Sequence, residues 1–150
     1  MELLDIIVKE VKNLGACEVA DNVKDFRDLV DRLFHQVGTP FCVKYKFPRY
    51  LHFKYAKHLV KNDERVFIDA GEVEIKDCKD VVLFGNTKAT ITVSDKTRVN
   101  KVMCYYGASA HIKVDDAVVR VYKIDAGDVS VEKIGNAIVL KDVTPENAEI

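Results

Sequence analysis

The sequence predicts an α+β chain in which a short N-terminal helical region caps a small β-solenoid, a parallel β-helix of about four coils. Apolar residues recur at helical spacing in the first 62 residues and at strand spacing from Val66 onward. The strand pairs return roughly every ten residues, with small or turn-forming residues between them. The expected organisation is a helical cap over residues 1–62, a solenoid over 66–141 and a C-terminal tail over 142–150.

The helices follow from periodicity and punctuation. Leu3, Ile6, Ile7, Val11 and Leu14 share one helix face, and Gly15 stands where that helix ends. Asp21 or Asn22 is placed to cap a second helix, whose apolar set is Phe26, Leu29, Val30, Leu33, Phe34 and Val37, up to Gly38. Thr39-Pro40 reads as an N-cap and first-turn proline for a short helix to about Lys46. Pro48 ends it, and a further helix runs from Pro48 or Arg49 to Val60.

Each strand is marked by two apolar residues one residue apart: Val73/Ile75, Val82/Phe84, Ile91/Val93, Ile112/Val114, Val119/Val121, Val129/Val131 and Ile138/Leu140, with Val102 filling the longest gap. Gly71, Gly85-Asn86, Gly107, Asp115-Asp116, Gly127 and Gly135-Asn136 read as corners. Ala89, Ala110, Ala117, Gly127 and Ala137 precede strands, and stacked coils need small residues where inner corners crowd. Two strands per coil give coils of about 18 to 20 residues. An antiparallel β-sandwich is the alternative, since its strands also recur every 8 to 12 residues or so, but it does not require the repeated small-x-V-x-V identity. The open ends of a solenoid need covering, here by the helices at the first coil and by the Thr144-Pro145-Glu146-Asn147 tail at the last.

Composition excludes several classes. With 48% hydrophobic and 31% charged residues the 150-residue chain reads as an ordinary soluble globular protein. It has no uncharged apolar run long enough to span a bilayer, and acids stand where a secretory leader would be basic, so a cytoplasmic location is expected. Cys17, Cys42, Cys78 and Cys104 lie far apart without a C-x-x-C pair, and read as reduced, mostly buried thiols. His35, His52, His58 and His111 form no metal-ligand spacing, no nucleophile motif occurs, and Gly85-Asn86-Thr87-Lys88 lacks the rest of a phosphate loop. No catalytic residue, metal or cofactor is therefore expected, and the chain reads as a non-enzyme.

Charge is nevertheless segregated. Residues 39–62 carry six bases and no acid, although the net charge of the chain is only −1. Within Phe41 to His58, six aromatics interleave with five bases, the pattern of a nucleic-acid contact. Lys44, Lys46, Arg49, Tyr50, Lys54 and Lys57 are the candidate contact residues for a partner or nucleic acid. The competing reading makes Phe41, Phe47, Leu51, Phe53 and Tyr55 helical core and docks the lysines on acids elsewhere in the fold.

The runs F-C-V-K-Y-K-F-P, V-F-I-D-A-G-E-V-E-I, V-V-L-F-G-N-T-K-A-T-I-T-V and V-N-K-V-M-C-Y-Y-G-A-S-A-H-I-K-V resemble small uncharacterised proteins of gut bacteria and their phages. The resemblance implies a mobile-element origin and a solenoid tail, with no activity attached to any residue. The expectation is a protein-binding or structural protein, facing a host protein or another copy of itself. Its outward positions would be Glu72, Glu74, Thr90, Thr92, Lys113, Arg120 and Ser130. Nucleic-acid regulation through segment 41–61 is the alternative, and no membrane partner is expected.

Overall fold

The computed structural model describes residues 2–15, 20–35, 38–60, 65–77 and 80–148. The thiols Cys17 and Cys78, with Val37 and Lys61, lie outside the described residues. Among the described residues four helices come first: α1 (Leu3–Asn13), α2 (Phe26–His35), α3 (Gly38–Lys44) and α4 (Tyr50–Val60). Nine strands follow: β1 (Val66–Ile68), β2 (Gly71–Lys76), β3 (Val81–Phe84), β4 (Thr87–Val93), β5 (Val99–Tyr105), β6 (Ser109–Asp115), β7 (Val118–Ile124), β8 (Val129–Ile134) and β9 (Ile138–Val139). No helix among the described residues is long and apolar enough to cross a membrane.

The strands wind as a parallel solenoid of about four turns, with two strands per turn. Odd-numbered strands form a first sheet in the order β1-β3-β5-β7-β9, and even-numbered strands a second in the order β2-β4-β6-β8. Every strand pair is parallel, which excludes the antiparallel sandwich. Val66 pairs with Val82, Val81 with Val102, Val99 with Val118 and Val118 with Ile138, so successive coils take 16, 21, 19 and 20 residues.

Inside the coils lies one core, built from Ile75, Leu83, Ile91, Cys104, Ile112 and Val121 with their neighbours. Of the alanines expected at corners ahead of strands, Ala117 and Ala137 are buried just ahead of β7 and β9, whereas Ala89 and Ala110 lie inside β4 and β6 and pair across neighbouring coils. A second core lies between the first sheet and the helices. Here Val82 and Phe84 depart from the expected inward face, because Val81 and Leu83 fill the coil interior while Val82 and Phe84 turn out to the helices. β3 is buried on both faces.

Aromatic rings knit this second core. Phe84 stacks on Phe53 of α4 at 4.9 Å between centroids and on Tyr105 of β5 at 4.4 Å. Phe34 of α2 meets all three rings edge-on. Lys101 of β5 donates from Nζ to the Phe34 carbonyl at 2.8 Å, satisfying an orphan acceptor at the end of α2. The helical cap thus lies along the side of the solenoid and spans several coils.

Helix boundaries moved for local reasons. The cap of α2 is Asp25, directly before the helix, whose carboxylate accepts the Asp28 N–H at 2.8 Å, while Asn22, left-handed at φ 56°, stands four residues ahead of Phe26. Thr39 falls inside α3 and donates its hydroxyl back to the Phe34 carbonyl at 3.0 Å, rather than capping its own helix. Left-handed Lys46, at φ 51°, follows the end of α3. The tail forms a turn at Thr144 to Asn147, and Ala148 joins the helix-side core.

Corners explain the glycines. Asp69 and Asp116 are left-handed, and their carboxylates accept the Asn86 and Asn136 N–H groups of the following coil at 2.8 and 2.6 Å. Each asparagine follows a left-handed glycine, and a Cβ there would stand 2.4 Å (Gly85) or 2.2 Å (Gly135) from the same carboxylate oxygen. Gly71 is also left-handed, at φ 70°, but faces open space. Gly85→Ala and Gly135→Ala should each cost about 2 to 4 kcal/mol in urea denaturation, against about 1 kcal/mol for Gly71→Ala. Equal costs at the three sites would refute the carboxylate clash. Removing residues 1–62 bares Phe84, Met103 and Tyr105 and should give aggregated β protein; a soluble monomeric fragment would count against this covering role.

Candidate protein-docking surface

The structure divides the six predicted contact residues by position. Lys46 pairs with Asp125 at 3.3 Å, and Arg49 pairs with Glu10 of α1. The Tyr50 hydroxyl lies 2.7 Å from both Asp69 carboxylate oxygens, and Lys57 donates to the Asp69 carbonyl at 3.2 Å. These four hold the helical layer to itself and to the corner between the two sheets. All five cations of the set, Lys44, Lys46, Arg49, Lys54 and Lys57, are nevertheless exposed.

That corner is a stack of left-handed residues, Asp69, Gly85, Tyr106 and Asp125, one from each coil. In three steps the N–H of one donates to the carbonyl before the next: Asp69 to Phe84, Gly85 to Tyr105 and Tyr106 to Ile124. The segment from Lys46 to Tyr50 lies along it, with the Tyr106 hydroxyl 2.7 Å from the carbonyls of Lys46 and Pro48. Burial and the Asp125 charge push the Tyr106 phenol up, so it stays neutral and serves as a donor. Burial also raises Asp69, but the Tyr50 hydroxyl, the Asn86 N–H and the nearby Lys57 and Lys54 outweigh it and hold its carboxyl below the ordinary value.

On α4 the inner and outer faces differ. Phe53, Ala56 and His52 are buried, and His52 Nδ1 lies 3.5 Å from the Glu10 carboxylate. The outer face carries Leu51, Tyr55 and Leu59, which are 59%, 67% and 52% exposed. They recur one turn apart, and Lys54 and His58 fall on the same face. Leu51 and Tyr55 therefore leave the expected core, while Phe53 stays in it. The signal was present in the sequence: α4 is apolar around more of its circumference than one buried stripe needs.

The second sheet offers a different surface. Its outward rows are Glu74, Thr90, His111 and Ser130, and Lys76, Thr92, Lys113 and Glu132, in register across four coils. His111 bridges two coils, with Nδ1 2.8 Å from the Ser130 hydroxyl and Nε2 3.3 Å from the Glu132 carboxylate. Arg120 does not belong here, because β7 is in the first sheet. An alternating outward set tells which residues face away from the core but not which sheet they stand on.

The remaining chemistry is quiet. Cys42 and Cys104 are free and buried, and burial pushes the Cys104 thiol up to about 12, so neither offers a ready thiolate. Among the described residues no three His, Cys, Asp or Glu side chains converge as metal ligands would.

The docking of the helical layer has a pH signature. Because the folded-state Asp69 carboxyl is depressed, its stabilisation is complete above the unfolded value of 3.8 and is lost as pH falls through the folded value. Asp69→Asn should lose about 1 to 2 kcal/mol at neutral pH and show a shallower fall in stability between about pH 5 and pH 2, measured by urea titrations across that range. An acid limb identical to wild type would remove Asp69 from the docking account.

Comparison with family models, with curated proteins and with solved structures returns no match.

Proposed function

We propose that the chain is a non-enzymatic protein-binding protein whose docking surface is the outer face of α4. The observation that carries this reading is the exposed stripe of Leu51, Tyr55 and Leu59. Three large apolar side chains one turn apart form the seam that an amphipathic helix or apolar groove of a partner covers. Residues 39–62 contain no acid, so the partner that fits is an apolar surface edged with carboxylates. A second copy fits less well, since Lys54 and His58 would face their own kind across a twofold. The open face of the second sheet, the surface expected for self-association or a host protein, is polar throughout its two central rows and ranks behind the stripe. The setting of a phage or mobile element belongs to this proposal and rests on the sequence resemblance.

Nucleic acid is the weaker reading. Lys44, Lys46, Arg49, Lys54 and Lys57 are all exposed, but Lys46 and Arg49 are paired with Asp125 and Glu10, and Lys57 donates to the Asp69 carbonyl, which lowers the charge they offer to a phosphate. Phosphate contacts need several free cations on one surface.

Tyr55→Glu with Leu59→Lys, and separately Thr90→Glu with Lys113→Gln, should each leave stability within about 0.5 kcal/mol of wild type per exposed substitution. A host protein captured by wild type and identified should be lost with the first pair, with Kd raised at least about tenfold in titration of the purified proteins, and retained with the second. Loss only with the second pair would move the site to the solenoid. Duplex DNA binding that weakens steeply with salt and falls on neutralising Lys44 and Lys54 would favour the nucleic-acid reading instead.

A further inference from the structure

The tail at Thr144 to Asn147, expected to cover the last coil, extends the first sheet instead. The Lys123 N–H donates to the Val143 carbonyl at 2.8 Å, and the Val143 N–H to the Val121 carbonyl at 2.9 Å. The second sheet ends at β8, and among the described residues no strand pairs with its outer edge. The Asp128 and Ile134 carbonyls accept from the Ala110 and Asp116 N–H groups at 3.0 and 3.1 Å. By alternation, the N–H and C=O of Val129, Val131 and Lys133 point away from β6. These are the groups with which an edge strand templates another.

The side chains at this end are as open as the backbone. Val129, Val131 and Lys133 turn toward the coil interior, in register with Ala110, Ile112 and Val114. Those three are buried, whereas Val129 and Val131 are half-buried and Lys133 is exposed. On the outer face of the strand Ser130 and Glu132 are exposed. No proline in β8 bars a further strand.

We infer that this edge docks a second copy of the chain, β8 pairing antiparallel with its twin about a twofold axis at Val131. An antiparallel pair about such an axis keeps both coil interiors on one side of a continuous sheet. Charge selects the register. With Val131 opposite Val131, each Ser130 hydroxyl faces the Glu132 carboxylate of the other copy. The two neighbouring registers set Glu132 against Glu132 or against Asp128, and like charges directly opposite disfavour pairing. Lys133, the charge that turns inward, stands at the end of the pair, where its aliphatic stem crosses Val129 of the other copy. A contact of this kind uses each β8 edge once and closes at the dimer. It is separate from the outer face of α4 and independent of that docking surface.

The test is sedimentation velocity on the full chain across a range of concentrations at neutral pH. Wild type should show a monomer–dimer equilibrium that does not grow further. Val131→Pro removes an N–H that β6 does not use, so it should keep the far-UV circular dichroism of wild type and sediment as a monomer. Ser130→Glu sets like charges opposite at two symmetry-related places and should raise the dimer Kd about fivefold or more, while Ser130→Lys, facing Glu132, should lower it. Lys113→Gln, one strand further in, should leave the dimer unchanged. Wild type that is monomeric at every concentration, growth beyond the dimer, or a change in the same direction for both Ser130 variants would overturn the proposal.

Discussion

Phe84, stacked between Phe53 of α4 and Tyr105 of the next coil, is the contact on which the rest of the molecule depends. A solenoid sheet normally buries one face and offers the other to water. Here the outward side chains of the first sheet are themselves apolar, so this sheet has two dry faces and needs a second layer. Stacked and edge-on rings give that layer a defined seat, each pair adding about 0.5 to 1.5 kcal/mol beyond the area it buries. The helices serve the solenoid by covering it, and the solenoid gives these short helices a surface on which to be stable.

The corner between the sheets sets the register of that union. Its left-handed residues pass backbone hydrogen bonds from coil to coil, and the same corner offers Asp69, Tyr106 and Asp125 to the segment from Lys46 to Tyr50. Lys46, Arg49, Tyr50 and Lys57, which suggest a nucleic-acid contact when read along the chain, thereby take partners within the fold while their cations stay exposed. What α4 adds on its outer face is an apolar stripe beside the exposed Lys54 and His58, and the proposal of protein recognition rests on that stripe.

Much of the fold is legible in residue identity. The switch from helical to strand spacing near Val66, the alanines ahead of β7 and β9 and the Gly-Asn pairs all follow from local sterics, which a sequence displays directly. Less legible were choices between equivalent local solutions. Asp21, Asn22 and Asp25 are all residue types that can cap, and the observed start of α2 at Phe26 gives that place to Asp25. Val82 and Val81 are equally apolar, so spacing alone did not reveal that β3 is buried on both sides. Arg120 shares the outward alternation of Lys113, yet stands on the other sheet.

By itself the sequence determined the class of architecture, the repeat and the segregation of charge, because each depends on neighbours within about twenty residues of chain, the length of one coil. Tertiary structure decided which apolar residues of α4 are core and which are surface, which cations take partners within the fold, and that among the described residues the outer edge of β8 is left open. These are properties of groups brought together from distant parts of the chain. Periodicity places a side chain on a face of its own element, and only packing of the elements settles what that face meets.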